Sequence, residues 1–263
     1  MNLENLCRQV ISLSKEVGAF IRAEGQNFDR NRVEYKGLHD MVSYVDKTAE
    51  EKLVKGLSEI LPEAGFVTEE KTSSKQGEKY HWIIDPLDGT TNFIHGIPTF
   101  SISIALQSDE ELVLGVVYEI NRDECFSAWK DGGAFLNGKP ISVSKAPIIE
   151  NTLLTTGFPF YEFADMEPYL NVLRELMQKC HGIRRIGSAA IDLAYVASGR
   201  FDGYFEYNLN SYDVAAGIVL VKEAGGHVFD FKGGDDCIAR RQIIATNGLI
   251  SEELLLVIKR FFH

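Results

Sequence analysis

The chain lacks most of the features that would set it apart from an ordinary globular protein. No apolar run reaches the roughly 18 to 20 residues that a membrane span needs. Near the start, Glu4 and Arg8 fall where a secretory leader would carry a basic region and then continuous apolar sequence. A cytoplasmic chain with no membrane partner is therefore expected. Cysteine is sparse and scattered: Cys7, Cys125, Cys180 and Cys237 form no C-x-x-C pair, which argues against a zinc site or a disulfide framework. Positive charge is also short, with 27 Lys and Arg against 38 Asp and Glu and a net charge of −11. Nucleic acids and anionic membranes require cationic patches that neutralise phosphate, so no nucleic-acid partner is expected. A phosphate-bearing ligand would have to be attracted by something other than net charge.

What is present is a chain of 263 residues, 45% hydrophobic and 25% charged, enough for one large core or two smaller fused ones. Leu3, Leu6, Val10, Leu13, Val17, Phe20 and Ile21 recur at helical spacing and predict an amphipathic helix over 3–24. A second helix is predicted from about Asp46 to Leu61, stopped by Pro62. The polar stretch Lys71 to Lys79 reads as a mobile surface loop. From His81 the pattern changes to short apolar runs (81–84, 100–106, 112–118, 124–129) punctuated by Asp131-Gly132-Gly133 and Asn137-Gly138 turn signals, as in a sheet. The second half alternates: strands at 152–156, 182–186, 201–206, 227–231 and 242–246, and helices at 166–179, 188–198, 213–224 and from Ser251. With only a soft boundary near Ala146-Pro147, two packed α/β halves, 1–146 and 147–263, fit better than tethered domains.

The segment richest in chemistry is Asp85-Pro86-Leu87-Asp88-Gly89-Thr90-Thr91-Asn92-Phe93, directly after the apolar run Trp82-Ile83-Ile84. Pro86 stiffens the backbone between two carboxylates and Gly89 permits a tight turn, so two acids and a carbonyl can converge. Oxygen-only ligands suit a hard cation such as Mg²⁺. A short helix after Gly89 would add backbone N–H groups able to receive a phosphate. A turn that uses Asp, Gly and Thr for capping is the plainer alternative. Three further acidic positions bear on the choice. Asp40 to Asp46 leads into a predicted helix, where capping would account for the acid. Glu69-Glu70 follows the strand-like Gly65-Phe66-Val67, and Tyr212-Asp213-Val214-Ala215-Ala216-Gly217 opens another helix that runs on to Glu223-Ala224-Gly225-Gly226.

Together these blocks resemble the inositol monophosphatase family of lithium-sensitive, metal-dependent sugar phosphatases. The match lies in Asp85 to Phe93, in Asp40 to Asp46, in the Glu69-Glu70 pair, in Gly187-Ser188-Ala189-Ala190 and in Tyr212 to Gly226, in the family's order. The resemblance implies a layered αβαβα sandwich that works as a homodimer and hydrolyses a small phosphorylated polyol or sugar. It implies two or three Mg²⁺ ions per subunit, one held by Glu69, Asp85 and the Leu87 carbonyl, a second by Asp85, Asp88 and Asp213. Thr90 and Glu69 would orient and help deprotonate the attacking water, with Asp46 behind Thr90. Asp88, Gly89 and Thr90 would meet the phosphate, and Gly187, Ser188, Ala189 and Glu206 the alcohol. Lys36 would approach from the loop before Asp40. Tyr212 stands where the family most often has Trp, and Thr68 and Lys71 where Gly and Ser are common. Arg184 and Arg185 leave a bisphosphatase open, because a second phosphate needs a cation.

Overall fold

The computed structural model describes residues 1–26, 28, 33–37, 40–158 and 163–262. In chain order the elements are α1 (Leu3–Gln26), β1 (Val33–Gly37), β2 (Asp40–Ser43), α2 (Tyr44–Ile60), β3 (Gly65–Thr68), β4 (Tyr80–Asp88), α3 (Thr90–His95), β5 (Ser101–Ser108), β6 (Glu111–Glu119), β7 (Glu124–Trp129), β8 (Gly133–Leu136) and β9 (Lys139–Ile141). There follow β10 (Leu153–Thr156), α4 (Met166–Met177), β11 (Gly182–Arg184), α5 (Ala189–Ala197), β12 (Gly203–Tyr207), α6 (Ser211–Glu223), β13 (His227–Phe229), α7 (Cys237–Arg240), β14 (Gln242–Thr246) and α8 (Ser251–Lys259).

The strands form a β1–β2 hairpin, a seven-stranded sheet in the order β3 to β9, and a five-stranded sheet ordered β11-β10-β12-β14-β13. In the seven-stranded sheet only β3 and β4 run parallel. Alternation along these strands divides the apolar residues between two faces. Trp82, Ile84, Ile104, Leu106 and Val116 pack against Val10, Val17, Leu53 and Leu57 of α1 and α2. Their neighbours Ile83, Ala105 and Val117 face the other way, onto Leu193 and Val196 of α5 and Val219 and Leu220 of α6. Tyr204 and Ala245 of the five-stranded sheet close that middle core, while Leu154, Phe205 and Ile244 face outward onto α4 and α8. The result is five layers, α1/α2, sheet, α5/α6, sheet, α4/α8, the αβαβα arrangement that the resemblance implies.

Sandwiching between two sheets explains why α6 is buried at every position from Val214 to Val221 and shows no polar face. Small residues let it approach: a Cβ on Gly115 of β6 would lie 3.0 Å from the Ala216 Cα. Elsewhere the structure shifts the sequence-based boundaries. The strand expected at 81–84 runs on to Asp88, because an irregularity in its pairing absorbs Pro86. The second helix opens at Tyr44, two residues before Asp46, because Ser43 is its N-cap. The β1–β2 hairpin and β8–β9 fall where no expected strand was drawn; they are too short to carry an apolar pattern. Lys36 lies in β1 and Asp40 in β2, and both side chains lie outside the described residues.

Candidate active site

The site forms where β3 and β4 end side by side. Their parallel register pairs Thr68 with Ile84, so Glu69 emerges beside Asp85, and the Glu69 amide donates to the Ile84 carbonyl at 3.3 Å. On the other side of β4, Asp85 pairs with Ser103 and Asp88 with Ser101. Three steps on β4 thus oppose two on β5. In a regular strand, positions three apart point to opposite faces; the extra residue returns Asp85 and Asp88 to the same face. That face is the middle layer, since Ser103 Oγ donates to the Tyr212 carbonyl at 3.2 Å and Ser101 Oγ lies 3.2 Å from Ser188 Oγ.

Two helices begin there. Ser188 caps α5, and Asp88 Oδ2 accepts hydrogen bonds from Ser188 Oγ and the Ala190 amide, both at 2.7 Å. A carboxylate at a helix start meets unpaired N–H groups and the positive end of the helix dipole. At the start of α6, Asp213 Oδ2 accepts from the Asn210 amide at 2.6 Å. The loop behind Asn210 is pinned by Arg241, whose guanidinium donates to the carbonyls of Leu209 and Asn208 at 3.0 and 3.1 Å. Capping and site geometry coincide at Asp46 as well. Its Oδ2 accepts from the Ser43 amide and hydroxyl at 2.9 and 2.6 Å, and its Oδ1 lies 3.0 Å from Thr90 Oγ1. Thr90 Oγ1 is also 3.0 Å from the Leu87 carbonyl, so its single proton serves one acceptor at a time. Gly89 joins these parts at φ +100, and a Cβ there would press on the Thr99 and Gly187 carbonyls.

Crowding shows in the acid strengths. Burial pushes the Asp85 carboxyl well above its ordinary value, reinforced by the charges of Glu69, Asp88 and Asp213. Burial raises Asp213 to about 8, with Asp88 adding to the effect, and Asp88 to about 6, held down by its Ser188, Ala190 and Ala189 donors. Among the described residues, no three acidic, histidine or cysteine side chains close on one point tightly enough to hold an ion. Magnesium does not need a preformed all-protein cage, because it keeps several waters or phosphate oxygens in its coordination shell. An oxygen-only donor set of mutually repelling carboxyls fits that ion.

A model of the inositol monophosphatase family matches residues 2–260. The chain belongs to that family. The inositol-1-monophosphatase of Mesorhizobium japonicum is 41% identical over 95% of this chain and 91% of its own length. The Nus factor SuhB of Pseudomonas aeruginosa is also 41% identical, over 94% of this chain and 93% of its own. Among solved structures, SuhB from Bartonella henselae superposes with a TM-score of 0.90 at 41% identity, covering 96% of this chain and 98% of that one. An inositol monophosphatase from Anabaena gives 0.87 at 33%, covering 99% and 98%. The fold is thus that of the family, while relatives of equal similarity carry names of two kinds.

Within the family fold, the residues expected at the alcohol end have definite protein partners. Glu206 ends β12, 7% exposed, and accepts from Tyr204 Oη at 2.6 Å. Gly157 packs directly on its carboxyl, leaving no room for a Cβ. Burial pushes Glu206 up to about 7, and its charge and that of Asp88 bear on the buried Asp192. The Ser188 hydroxyl and the amides at the start of α5 are committed to Asp88. Gly187 serves the turn, at φ +93, with the Asn92 side-chain amide donating to the preceding Ile186 carbonyl at 3.0 Å. Arg184 and Arg185 are both exposed; Arg185 lies over the Phe158 ring and weighs electrostatically on Asp88 and Glu206, whereas Arg184 donates to the Ile183 carbonyl. Glu50, Arg241 and Asp192 escaped the sequence reading. Nothing in their neighbours distinguishes them from surface or core charges.

Proposed function

We propose that this protein is a magnesium-dependent phosphatase of small phosphorylated polyols or sugars, with inositol monophosphate as first substrate. The observation that supports it most is the adjacency of Glu69, Asp85, Asp88 and Asp213 at strand and helix ends, next to a Thr90 hydroxyl backed by Asp46. In this reading Glu69, Asp85 and the Leu87 carbonyl hold one Mg²⁺ and Asp85, Asp88 and Asp213 a second. When bound, the ions lower the pKa of water and neutralise charge that grows on the phosphoryl oxygens, which answers the net charge of −11. Thr90 keeps lone pairs for a proton of the attacking water while its own proton points to Asp46, and Glu69 takes the same water from the other side. Gly89 and Thr90 present first-turn amides, which have no acceptor inside the helix, to the phosphate. Glu206, held by Tyr204, accepts from a ring hydroxyl.

Phosphate release from inositol 1-phosphate, with Mg²⁺ and with EDTA, in wild type and Asp85→Asn, tests this. Activity is expected only in wild type with Mg²⁺. Release that survives EDTA or the substitution refutes the site. Preference for fructose 1,6-bisphosphate or adenosine 3′,5′-bisphosphate would replace the substrate, with Arg185 the nearer cation for a second phosphate. The Nus-factor name of some relatives supports a second reading, an interaction or regulatory protein on the same fold. A partner-dependent phenotype that survives Asp85→Asn would favour it and would also overturn the exclusion of nucleic acid drawn from charge. The reading further takes the protein to be a cytoplasmic homodimer, each subunit made of two packed halves divided near Ala146-Pro147; no helix among the described residues is long and apolar enough to cross a membrane.

A further inference from the structure

Glu50 lies one helical turn after Asp46 on α2, so the two acids project from the same face. It is fully buried, yet no reading of the site uses it. Its carboxyl reaches out of α2 to the segment that follows β3. Oε2 accepts from the Glu70 amide at 2.8 Å, and Oε1 accepts from the Thr72 amide and hydroxyl at 2.9 and 2.8 Å. Between them Lys71 sits at φ +57, a left-handed conformation that a side chain adopts only under constraint. The turn 70–72 is thus wrapped around one side chain, and the residue that enters the turn is Glu69.

We infer that Glu50 is the positioning residue for Glu69, and that α2 acts as a splint for the reactive water. Through Asp46 the helix holds Thr90, and through Glu50, four residues on, it holds the turn that carries Glu69. One rigid helix face sets the separation of the two groups assigned to the same water molecule. Both oxygens of Glu50 act only as acceptors. A glutamine in its place keeps the Thr72 contacts on its carbonyl oxygen but points an N–H at the Glu70 N–H, so that this amide loses its partner. The inference rests on the phosphatase reading for its purpose, but the clamp itself can be observed without metal or substrate.

The experiment compares wild type, Glu50→Gln, Thr72→Val and, as a packing control, Leu53→Ala. Leu53 is fully buried on the same helix, in the core under the seven-stranded sheet. Three quantities are measured: amide hydrogen exchange at Glu70 and Thr72 in metal-free protein, Mn²⁺ binding by calorimetry without substrate, and kcat and KM on inositol 1-phosphate. Glu50→Gln is expected to speed exchange at Glu70. It should weaken Mn²⁺ about 10-fold and lower kcat by about 10- to 100-fold, the range seen when a group supporting a metal ligand is lost, with KM little changed. Thr72→Val should do the same to a smaller extent, and Leu53→Ala should leave Mn²⁺ affinity and kcat of the folded protein near wild type. Wild-type exchange and Mn²⁺ affinity in Glu50→Gln would overturn the inference, as would equal losses in Leu53→Ala. If wild type itself neither binds Mn²⁺ nor releases phosphate, the phosphatase reading fails and with it the purpose given to Glu50; the exchange result still decides whether the clamp exists.

Discussion

The acids that reach the site beside the seven-stranded sheet and those that reach it beside the five-stranded sheet are both crowded by protein, but they meet different numbers of donors. Asp46 takes the Ser43 amide, the Ser43 hydroxyl and the Thr90 hydroxyl. Asp88 takes the Ser188 hydroxyl and the first amides of α5. On the other side, Asp213 takes the Asn210 amide, and Glu206 takes the Tyr204 hydroxyl. Hydrogen bonds to the ionised form offset the cost of burying it. Asp88 accordingly settles at about 6, Glu206 at about 7 and Asp213 at about 8. Of these acids Asp88 is the best prepared to carry charge; Glu206 and Asp213, and Asp85 on β4, which burial also pushes well above its ordinary value, need a cation or substrate to compensate it.

The sharpest way to break this comparison is to neutralise one acid on each side. Asp213→Asn and Asp88→Asn should each lower turnover by roughly 10³-fold, on the scale of removing a preorganised charge-stabilising group. In EDTA near neutral pH, Asp213→Asn should raise the melting temperature by more than Asp88→Asn, because Asp213 has fewer donors to reconcile it with charge. The opposite order in calorimetry would refute the distinction. Next in size is Thr90→Val, which leaves Asp46 Oδ1 without its hydroxyl donor and the attacking water without the Thr90 oxygen. A loss of roughly 10²-fold in kcat is expected, the usual contribution of a group that handles a proton in the reaction, while Thr90→Ser should stay within several-fold of wild type. Equal loss in both variants would mean that the methyl group, not the hydroxyl, matters. A smaller effect is expected at Gly157, where alanine would force the Glu206 carboxyl aside. KM for inositol 1-phosphate should rise about 10-fold, a change worth one charge-assisted hydrogen bond, with kcat nearly kept; an unchanged KM would remove Glu206 from the alcohol site.

Much of this was legible in the sequence because it depends on local pattern. Apolar runs at 100–106 and 112–118 and the periodic stripe of α1 gave the strands and the first helix, the layering came only with the family resemblance, and Asp85 to Thr90 declared itself by four special residue types within six positions. What escaped depends on contacts remote in sequence. Glu50 stands between Ala49 and Glu51 and looks like any solvated helix acid; only the return of residues 70–72 over α2 buries it. The irregularity that turns Asp85 and Asp88 to one face is set by pairing with β5, which Pro86 alone does not announce. Arg241 resembles a surface charge beside Arg240 until the 208–209 carbonyls are brought to it. The commitment of Ser188 to Asp88 likewise follows from the meeting of β4 with α5, two elements 100 residues apart.

The smallest effect is also the most general, a dependence of metal-free stability on pH. Free Asp and Glu titrate near 4, whereas burial holds Asp88, Glu206 and Asp213 at about 6, 7 and 8 in the folded protein. Between those values the native state binds more protons than the unfolded chain, so stability falls as pH rises. The contribution of these groups is fully present below about pH 4 and is lost as pH climbs through their folded values, Asp88 first and Asp213 last. In EDTA the melting temperature should therefore decline from about pH 4 to about pH 8, and Asp213→Asn should flatten the upper part of that decline. Magnesium binds the deprotonated acids, so its stabilising effect should grow over the same interval. Melting curves across that range, with and without Mg²⁺, decide the matter: a decline that ends below about pH 6.5 would leave Glu206 and Asp213 out of the proton uptake and reverse their contrast with Asp88.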